Sequence, residues 1–425
     1  MADARQVAFT QLCKIERDNA YSNLILSEKG DNTLSDKDRV LSHRIVKTVL
    51  ERKITVDYNL SKYLTQPLKK LKPQVLTILR MGACQILFMD KIPVSAAINE
   101  SVKLTKKNGC AFASGLVNAV LRKVSVNGLV LPDEKDEKYL GVKYSFPDYL
   151  VRKLCDYYGR EIAEKIMEAS LDSSKIYIRK NTLKNEELSV ETEVTDFENC
   201  YSVKNTGDIT ALPDFRNGLF HVQDLSSQIC CKVLDAKKGE TVIDICSAPG
   251  GKSMTIAEMM ENEGRVISCD IYEHKLRLIS DTAKRLGIDI IETKLRDGTD
   301  ETNILPEADR ILCDVPCSGF GVTGKKPEIR YKDEKEVASL PALGLEILEK
   351  SSRYLKKGGR LVYSTCTLLP EENIDVCKAF LANNKDFVSV CIDDSIKGFR
   401  DGETLTVLPH IYDCDGFFVA AFEKK

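Results

Sequence analysis

Between residues 236 and 425, short apolar runs alternate with helical stretches, and no other feature narrows the fold of this chain as sharply. Residues 241–245, 265–270, 288–295, 310–315 and 359–364 read as strands, with helices at 275–286 and 343–355 among the connections. Strands joined through helices run parallel, because a crossover needs a dozen or more residues and lays its helix on a face of the sheet. The predicted class is α/β, a parallel sheet covered on both faces. The runs 387–392, 404–408 and 417–422 have no helices of comparable length between them and read as antiparallel edge strands.

The remaining residues differ in kind. Residues 1–130 carry helical stripes: Ala8, Leu12 and Ile15; Val40, Ile45, Val46, Val49 and Leu50; Val75, Leu79, Ala83, Ile86 and Leu87 behind Pro73; Ala97, Val102 and Leu104 behind Pro93, with Ser95 as its cap; and Ala113, Leu116, Val117, Val120 and Leu121. Asn108-Gly109 is the turn between the last two. All these stripes are expected to be core. Residues 131–145 are polar and charged and read as a linker. Residues 146–235 read as a small α+β module, with a helix through Tyr149, Leu150, Leu154 and Tyr157 and a strand at Ile176-Tyr177-Ile178.

Charge divides along the same line. Residues 1–130 hold 21 Lys and Arg against 11 Asp and Glu, a net of +10, while the rest carries −12. A basic helical module on an acidic body points to a polyanion partner. Its exposed bases, among them Arg44, Lys47, Arg52, Lys53, Lys69, Lys70, Lys106, Lys107, Arg122 and Lys123, are phosphate contacts or simply a solvated surface. The fifteen cysteines are scattered and form no C-x-x-C pair, which argues against a zinc site or a disulfide framework and for reduced thiols. No apolar run reaches the roughly 18–20 residues of a membrane span. The start, Met1-Ala2-Asp3-Ala4-Arg5, lacks the apolar core of a signal peptide, so the expected location is the cytoplasm, as a monomer.

The first predicted strand runs into Asp244-Ile245-Cys246-Ser247-Ala248-Pro249-Gly250-Gly251-Lys252-Ser253, with a helix behind it. Paired glycines admit a ligand close to the backbone, and the helix N-terminus behind them is partially positive. A phosphate-binding P-loop fails here, since Cys246 stands where its leading glycine belongs and Pro249 interrupts the loop. The G-x-G-x-x-G dinucleotide fingerprint is absent. A small nucleoside ligand such as S-adenosylmethionine and a plain turn closing a βα unit both remain. Asp270, Asp297 and Asp314 at three successive strand ends favour the ligand, with Asp270 placed for ribose hydroxyls and Asp297 for an adenine edge.

Two cysteines share that edge, in Asp314-Val315-Pro316-Cys317 and Ser364-Thr365-Cys366-Thr367. Paired thiols serve as a redox couple, a metal pair or nucleophilic catalysts, and the absence of nearby histidine in the sequence weakens the metal reading. One reaction unites a thiol, a carboxylate and a methyl donor. Thiolate addition at C6 of cytosine makes C5 nucleophilic enough to attack an electrophilic methyl, and an acid near N3 stabilises the charge that develops. The residues alone do not say which thiol attacks.

These motifs resemble the RNA cytosine-C5 methyltransferases of the Nop/Sun type. The likeness rests on Asp244–Lys252, on Asp314-Val315-Pro316-Cys317-Ser318-Gly319, and on Ser364-Thr365-Cys366 with Pro370-Glu371-Glu372-Asn373 after it. Val222-Gln223-Asp224-Leu225-Ser226-Ser227 fits too. Upstream, Ile92-Pro93-Val94-Ser95-Ala96-Ala97 and Leu116-Val117-Asn118-Ala119-Val120-Leu121-Arg122 are similar to the NusB-like domain of the bacterial small-subunit rRNA enzyme, and Phe146-Pro147-Asp148-Tyr149-Leu150 to the start of its middle region.

The resemblance implies a NusB-like RNA-binding domain at 1–130 and a Rossmann-like methyltransferase domain at 236–425. It implies S-adenosylmethionine bound by Cys246, Ser247, Ala248, Pro249, Gly250, Gly251 and Lys252 with Asp270, Asp297 and Asp314. It makes Cys366 the nucleophile and Cys317 the residue that assists release, with Asp314 close to the methyl donor and the base. The implied substrate is a cytosine in 16S rRNA, free or in an early assembly intermediate. A tRNA cytosine and a non-catalytic RNA-binding assembly role are the alternatives. Lys325, Lys326 and Arg330, just past Cys317, are the expected RNA contacts. The chain departs from the pattern at Thr367, where serine is commoner, and at Thr323-Gly324.

Overall fold

The computed structural model describes residues 3–18, 34–171, 175–204 and 207–425. The chain falls into two compact units, Met1–Leu171 with Lys325–Lys332, and Asp172–Gly324 with Asp333–Lys425.

In the first unit α1 (Ala4–Asp18), α2 (Asp36–Glu51), α3 (Lys53–Ser61), α4 (Pro73–Phe88), α5 (Val94–Lys107) and α6 (Ser114–Asn127) enclose Leu12, Ile45, Val46, Ile78, Leu79, Val117 and Leu121. Apolar side chains three and four apart form one face, and burying that face stabilises helices that are marginal alone. Pro73 opens α4, where a missing N–H costs nothing. Arg80 of α4 grips Asp57 with two hydrogen bonds of 2.7 Å and also meets Glu16, so three helices share one ionic knot.

The stripes hold with two corrections. Val40 is 66% exposed. It lies two residues from buried Ser42, about 200° round the helix axis, and so faces water. Ser95 caps nothing: α5 begins at Val94 behind Pro93, with no side-chain cap.

The segment read as a linker folds in part. After the charged run, α7 (Tyr139–Tyr144) buries Leu140, Val142 and Tyr144. Helices α8 (Asp148–Tyr158) and α9 (Arg160–Ala169) also belong to the first unit rather than to the middle module. Their apolar faces bury Leu150, Leu154, Ala163 and Ile166.

The second unit opens with a small antiparallel sheet ordered β2-β3-β1-β4, from β1 (Ile176–Lys180), β2 (Thr192–Val194), β3 (Cys200–Val203) and β4 (Phe220–Val222). Helix α10 (Leu225–Leu234) leads to a nine-stranded sheet. Its parallel part comprises β5 (Thr241–Asp244), β6 (Arg265–Asp270), β7 (Ile291–Leu295), β8 (Ala308–Asp314) and β9 (Leu355–Thr365). Helices α11 (Gly251–Met259), α12 (Glu273–Leu286) and α13 (Leu340–Ser352) lie among the crossovers. Ile243 pairs with Ile267 on one side and Ile311 on the other, a run of β-branched residues suited to a sheet buried on both faces.

The order β7-β6-β5-β8-β9 places the reversal of direction between β5 and β8. A ligand in an open α/β sheet sits outside the carboxyl ends of the strands at such a point. Ile288 is not part of β7, because Gly287, at φ +74°, ends α12 and the Ile288 N–H still bonds back to Ala283. The final strand β13 (Phe417–Lys424) is antiparallel, as read, but interior: it pairs with β9 on one side and with β12 (Thr404–Val407) and β10 (Phe387–Val390) on the other, and β11 (Phe399–Asp401) pairs with β12. The run 417–422 has buried side chains on both faces, which suits an interior position better than an edge.

Candidate active site

Four strand ends and a helix start converge at the reversal between β5 and β8. The loop after β5 tightens through Gly250 N–H bonding to the Ser247 carbonyl at 2.7 Å, and Ser247 ties to the Cys269 carbonyl through both N–H and hydroxyl. The Ala248-Pro249 peptide is cis. Gly250 sits at φ +103°, and a Cβ there would lie 3.0 Å from Ile279. No other residue adopts this turn without strain, so the loop keeps its backbone bare at the start of α11. Beneath it, Asp244 is wholly buried. Ser253 donates to one of its oxygens at 2.6 Å and the other has no partner among the described residues. Burial pushes its carboxyl up to about 7.

Asp270 ends β6, mostly buried, and accepts the Tyr272 N–H at 3.0 Å on one oxygen, which leaves the second as an acceptor. Asp297 is exposed, and one of its oxygens closes a local turn by accepting from the N–H and hydroxyl of Thr299. Asp314 at the end of β8 has both oxygens engaged: Lys252 Nζ at 2.7 Å and Ser364 Oγ at 2.9 Å. Lys252 is 13% exposed and lies 5.0 Å over the Phe417 ring. Burial alone would pull its ammonium down, but Asp314 holds it well above the ordinary lysine value.

The two thiols meet. Cys317 Sγ and Cys366 Sγ are 3.2 Å apart, hydrogen-bonding distance for sulfur. Cys366 is held below the ordinary thiol range, chiefly by the hydrogen bond from Cys317. Lys252 helps, while burial, Asp314 and Asp415 oppose. Cys317 is pushed up by the same bond and by burial. The arrangement therefore favours ionisation of Cys366 over Cys317.

Several residues not singled out for the site shape it. Glu372 accepts the Ser318 N–H at 2.7 Å, and Thr367 Oγ1 lies 2.6 Å from Ser318 Oγ and 3.3 Å from Glu372. Thr367 therefore supplies the hydroxyl a serine would. Asn373 accepts from Thr365 Oγ1 and donates to the Thr367 carbonyl. Gly321 donates to the Cys366 carbonyl at 2.8 Å, and a Cβ on it would strike the Gly416 carbonyl. The Pro370–Asn373 motif signalled these contacts only through family likeness, since a glutamate three residues into a loop is unremarkable by itself. Asp224 caps α10 and also accepts the Asp415 N–H, giving the motif around it a structural task.

One expected RNA contact is overturned. Arg330 is fully buried in the first unit and donates to the carbonyls of Glu51, Tyr144 and Ser170, while its guanidinium stacks 4.6 Å from Phe146. A guanidinium so enclosed holds protein, not phosphate. Lys325 is exposed and Lys326 half-buried in the same segment. Among the helical bases, Arg44, Lys69, Lys70, Lys106, Lys107, Arg122 and Lys123 are exposed, whereas Lys47 pairs with Glu51 and Lys53 with Glu16. Lys106 lines a groove of about 790 Å³ between α5 and α6, together with Lys103, Ser114 and Asn118.

The 16S rRNA methyltransferase RsmB/F family matches residues 231–423, and the NusB family matches residues 2–126. The probable ribosomal RNA small subunit methyltransferase B of Bacillus subtilis is 38% identical over 99% of this chain and 98% of its own. This chain belongs to that family. The ribosomal RNA small subunit methyltransferase B of Klebsiella pneumoniae is 31% identical over 97% and 95% of the two chains. Among solved structures, PH0851 shares the fold across 100% of this chain and 99% of its own, with a TM-score of 0.83 at 24% identity. A methyltransferase homolog from Pyrococcus horikoshii covers 69% of this chain and all of its own, with a TM-score of 0.61 at 26% identity. The chain therefore carries a NusB domain and a Rossmann-like methyltransferase domain. Among the described residues no helix is long and apolar enough to cross a membrane, and no group of three or more His, Cys, Asp or Glu side chains is placed to hold a metal.

Proposed function

We propose that this chain methylates C5 of a cytosine in 16S rRNA, with Cys366 as the nucleophile. The observation that carries the reading is the 3.2 Å contact between Cys317 and Cys366, beside the Lys252–Asp314 pair. A structural role explains two single cysteines but not two thiols in contact at the ligand edge of the sheet, the ionisation of one eased and of the other opposed.

The site fits S-adenosylmethionine. The bare backbone at Gly250 and Gly251 begins α11 and suits the methionine carboxylate. Asp270 suits the ribose hydroxyls, Asp297 the adenine edge, and Cys246 to Lys252 with Asp314 complete the lining. When bound there, S-adenosylmethionine supplies an electrophilic methyl group.

The residues of the chain do the rest. The Cys366 thiolate adds to C6 of the cytosine, forming a C–S bond, and C5 becomes nucleophilic enough to take the methyl. The C5 proton then leaves to a base and the Cys366–C6 bond breaks, which restores the aromatic ring and the thiolate. Cys317, protonated and adjacent, assists that release. Asp314 stands between the methyl-donor site and the thiols, fixed by Lys252 and Ser364. A cytosine inside a duplex hides C6, so the target is unpaired or flipped out. Exposed bases of the first unit, with Lys325 and Lys326, supply phosphate contacts and register.

The deciding experiment is methyl transfer from labelled S-adenosylmethionine to unmodified 16S rRNA and, separately, to unmodified tRNA, with bisulfite mapping. Label is expected on one 16S cytosine and falls by at least about three orders of magnitude in Cys366→Ala. Label on tRNA alone moves the substrate. Undiminished transfer by Cys366→Ala removes the covalent mechanism.

A further inference from the structure

The contacts around the thiols raise a question that the nucleophile does not answer: what keeps two sulfurs on separate turns at hydrogen-bonding distance. Cys317 follows β8 and Cys366 follows β9; sheet pairing ends at Asp314–Ser364, and past it the backbone ties are the Val315 N–H to the Ser364 carbonyl and the Gly321 N–H to the Cys366 carbonyl. The next residue on each turn adds a side-chain tie. Ser318 Oγ and Thr367 Oγ1 touch at 2.6 Å, and the buried Glu372 carboxylate takes the Ser318 N–H on one oxygen and the Thr367 hydroxyl on the other. Tyr363 holds the Glu372 carbonyl at 2.6 Å, and Asn373 binds Thr365 and Thr367. The glutamate is thus anchored from β9 while it grips the turn after β8.

We infer that Glu372 is a positioning residue for the methyl-transfer reaction, holding the Cys317 and Cys366 turns in register so that the two thiols share a single proton. This rests on the reading of Cys366 as nucleophile. Cys366 loses its proton to solvent and Cys317 donates its S–H to the resulting thiolate, and the bond exists only while the turns stay aligned. The charged and titratable groups acting on Cys366 are Cys317, Asp314, Lys252 and Asp415, and Glu372 acts on the two turns through Ser318 and Thr367.

The test is alkylation of Cys366 by iodoacetamide as a function of pH in the full chain without RNA, followed by peptide mass spectrometry. Affinity for S-adenosylmethionine serves as the measure of a folded site. In Glu372→Ala the midpoint for Cys366 is expected to rise by at least about one pH unit, so that alkylation at neutral pH slows about tenfold, with affinity for S-adenosylmethionine unchanged. Glu372→Gln keeps an acceptor for the Ser318 N–H and is expected to restore most of the rate. Thr367→Val removes the shared hydroxyl without changing the side-chain size much, and is expected to shift the midpoint in the same direction should Glu372→Ala fail to fold. An unmoved midpoint in the folded Ala or Val variant overturns the inference. Equal shifts in the Ala and Gln variants do so too, because charge rather than register would then set the thiol. Since no RNA is present, these outcomes are independent of whether Cys366→Ala abolishes methyl transfer, which tests the nucleophile itself.

Discussion

Two cations are withdrawn from water in this protein, and they do different work. Arg330 in the first unit donates, among the described residues, to three backbone carbonyls and lies against an aromatic ring. Lys252 in the second is matched to a carboxylate that also reaches Ser364, at a loop built to leave backbone bare. A guanidinium can spread five donors over several carbonyls and serve as a structural hub, whereas an ammonium in direct ionic contact with a strand-end aspartate forms a polarised centre. Burial of charge alone therefore does not mark a site. The setting does, and a third buried group extends the contrast: Asp244 accepts only the Ser253 hydroxyl among the described residues, and burial raises its carboxyl to about 7.

The comparison breaks if the two cations prove interchangeable in effect. Lys252→Met is expected to lower methyl transfer by about 10³-fold, since it strips the charged pair beside the thiols, while unfolding midpoints move little. A steady-state assay with parallel thermal melts reads both. Arg330→Met leaves three carbonyls without their donor and is expected to cost about 3 kcal/mol of stability in urea unfolding, with S-adenosylmethionine affinity unchanged. Loss of that affinity in Arg330→Met, or a large stability loss in Lys252→Met, would erase the distinction.

Asp244 sharpens it. Its carboxyl is raised to about 7 in the folded chain, above the ordinary value of 3.8. The folded state thus binds more protons than the unfolded one between these values, and stability falls as pH rises through that window. Asp244→Asn is expected to remove the decline, worth about 2 kcal/mol between pH 5 and pH 7, in melts run across that range. A decline that persists in the variant assigns it to another group. The smallest effect is expected from Gly250→Ala, which forces a Cβ onto Ile279 at a positive φ and should weaken S-adenosylmethionine binding by about 1 kcal/mol in calorimetry.

The legible parts of the sequence were those in which a short pattern answers to one local requirement. The βα alternation, Pro73 at a helix start, the Gly250-Gly251 loop and the strand-end aspartates are of this kind, because each depends on backbone geometry within a few residues. Val40 and Ser95 were misread because a stripe shows its period more clearly than its edges. The middle boundary was misplaced because α8 and α9 carry ordinary amphipathic faces, and nothing local says which core receives them. Arg330 was misread for a related reason. Its position a few residues past Cys317 says nothing about its surroundings, and a basic residue looks the same in sequence whether it meets phosphate or carbonyl.

By itself the sequence determined the α/β class, the basic helical module, the loop at the switch point and the presence of two thiols at strand ends. Tertiary structure alone decided that those thiols touch, that Lys252 spans 62 positions to reach Asp314, and that Glu372 ties the two turns together. Periodicity and turn chemistry act over a few residues, so they can be read along the chain. Hydrogen-bond partners and the ionisation of a buried group depend on which distant segments the sheet order brings within about 3 Å, and that exists only once the core has closed.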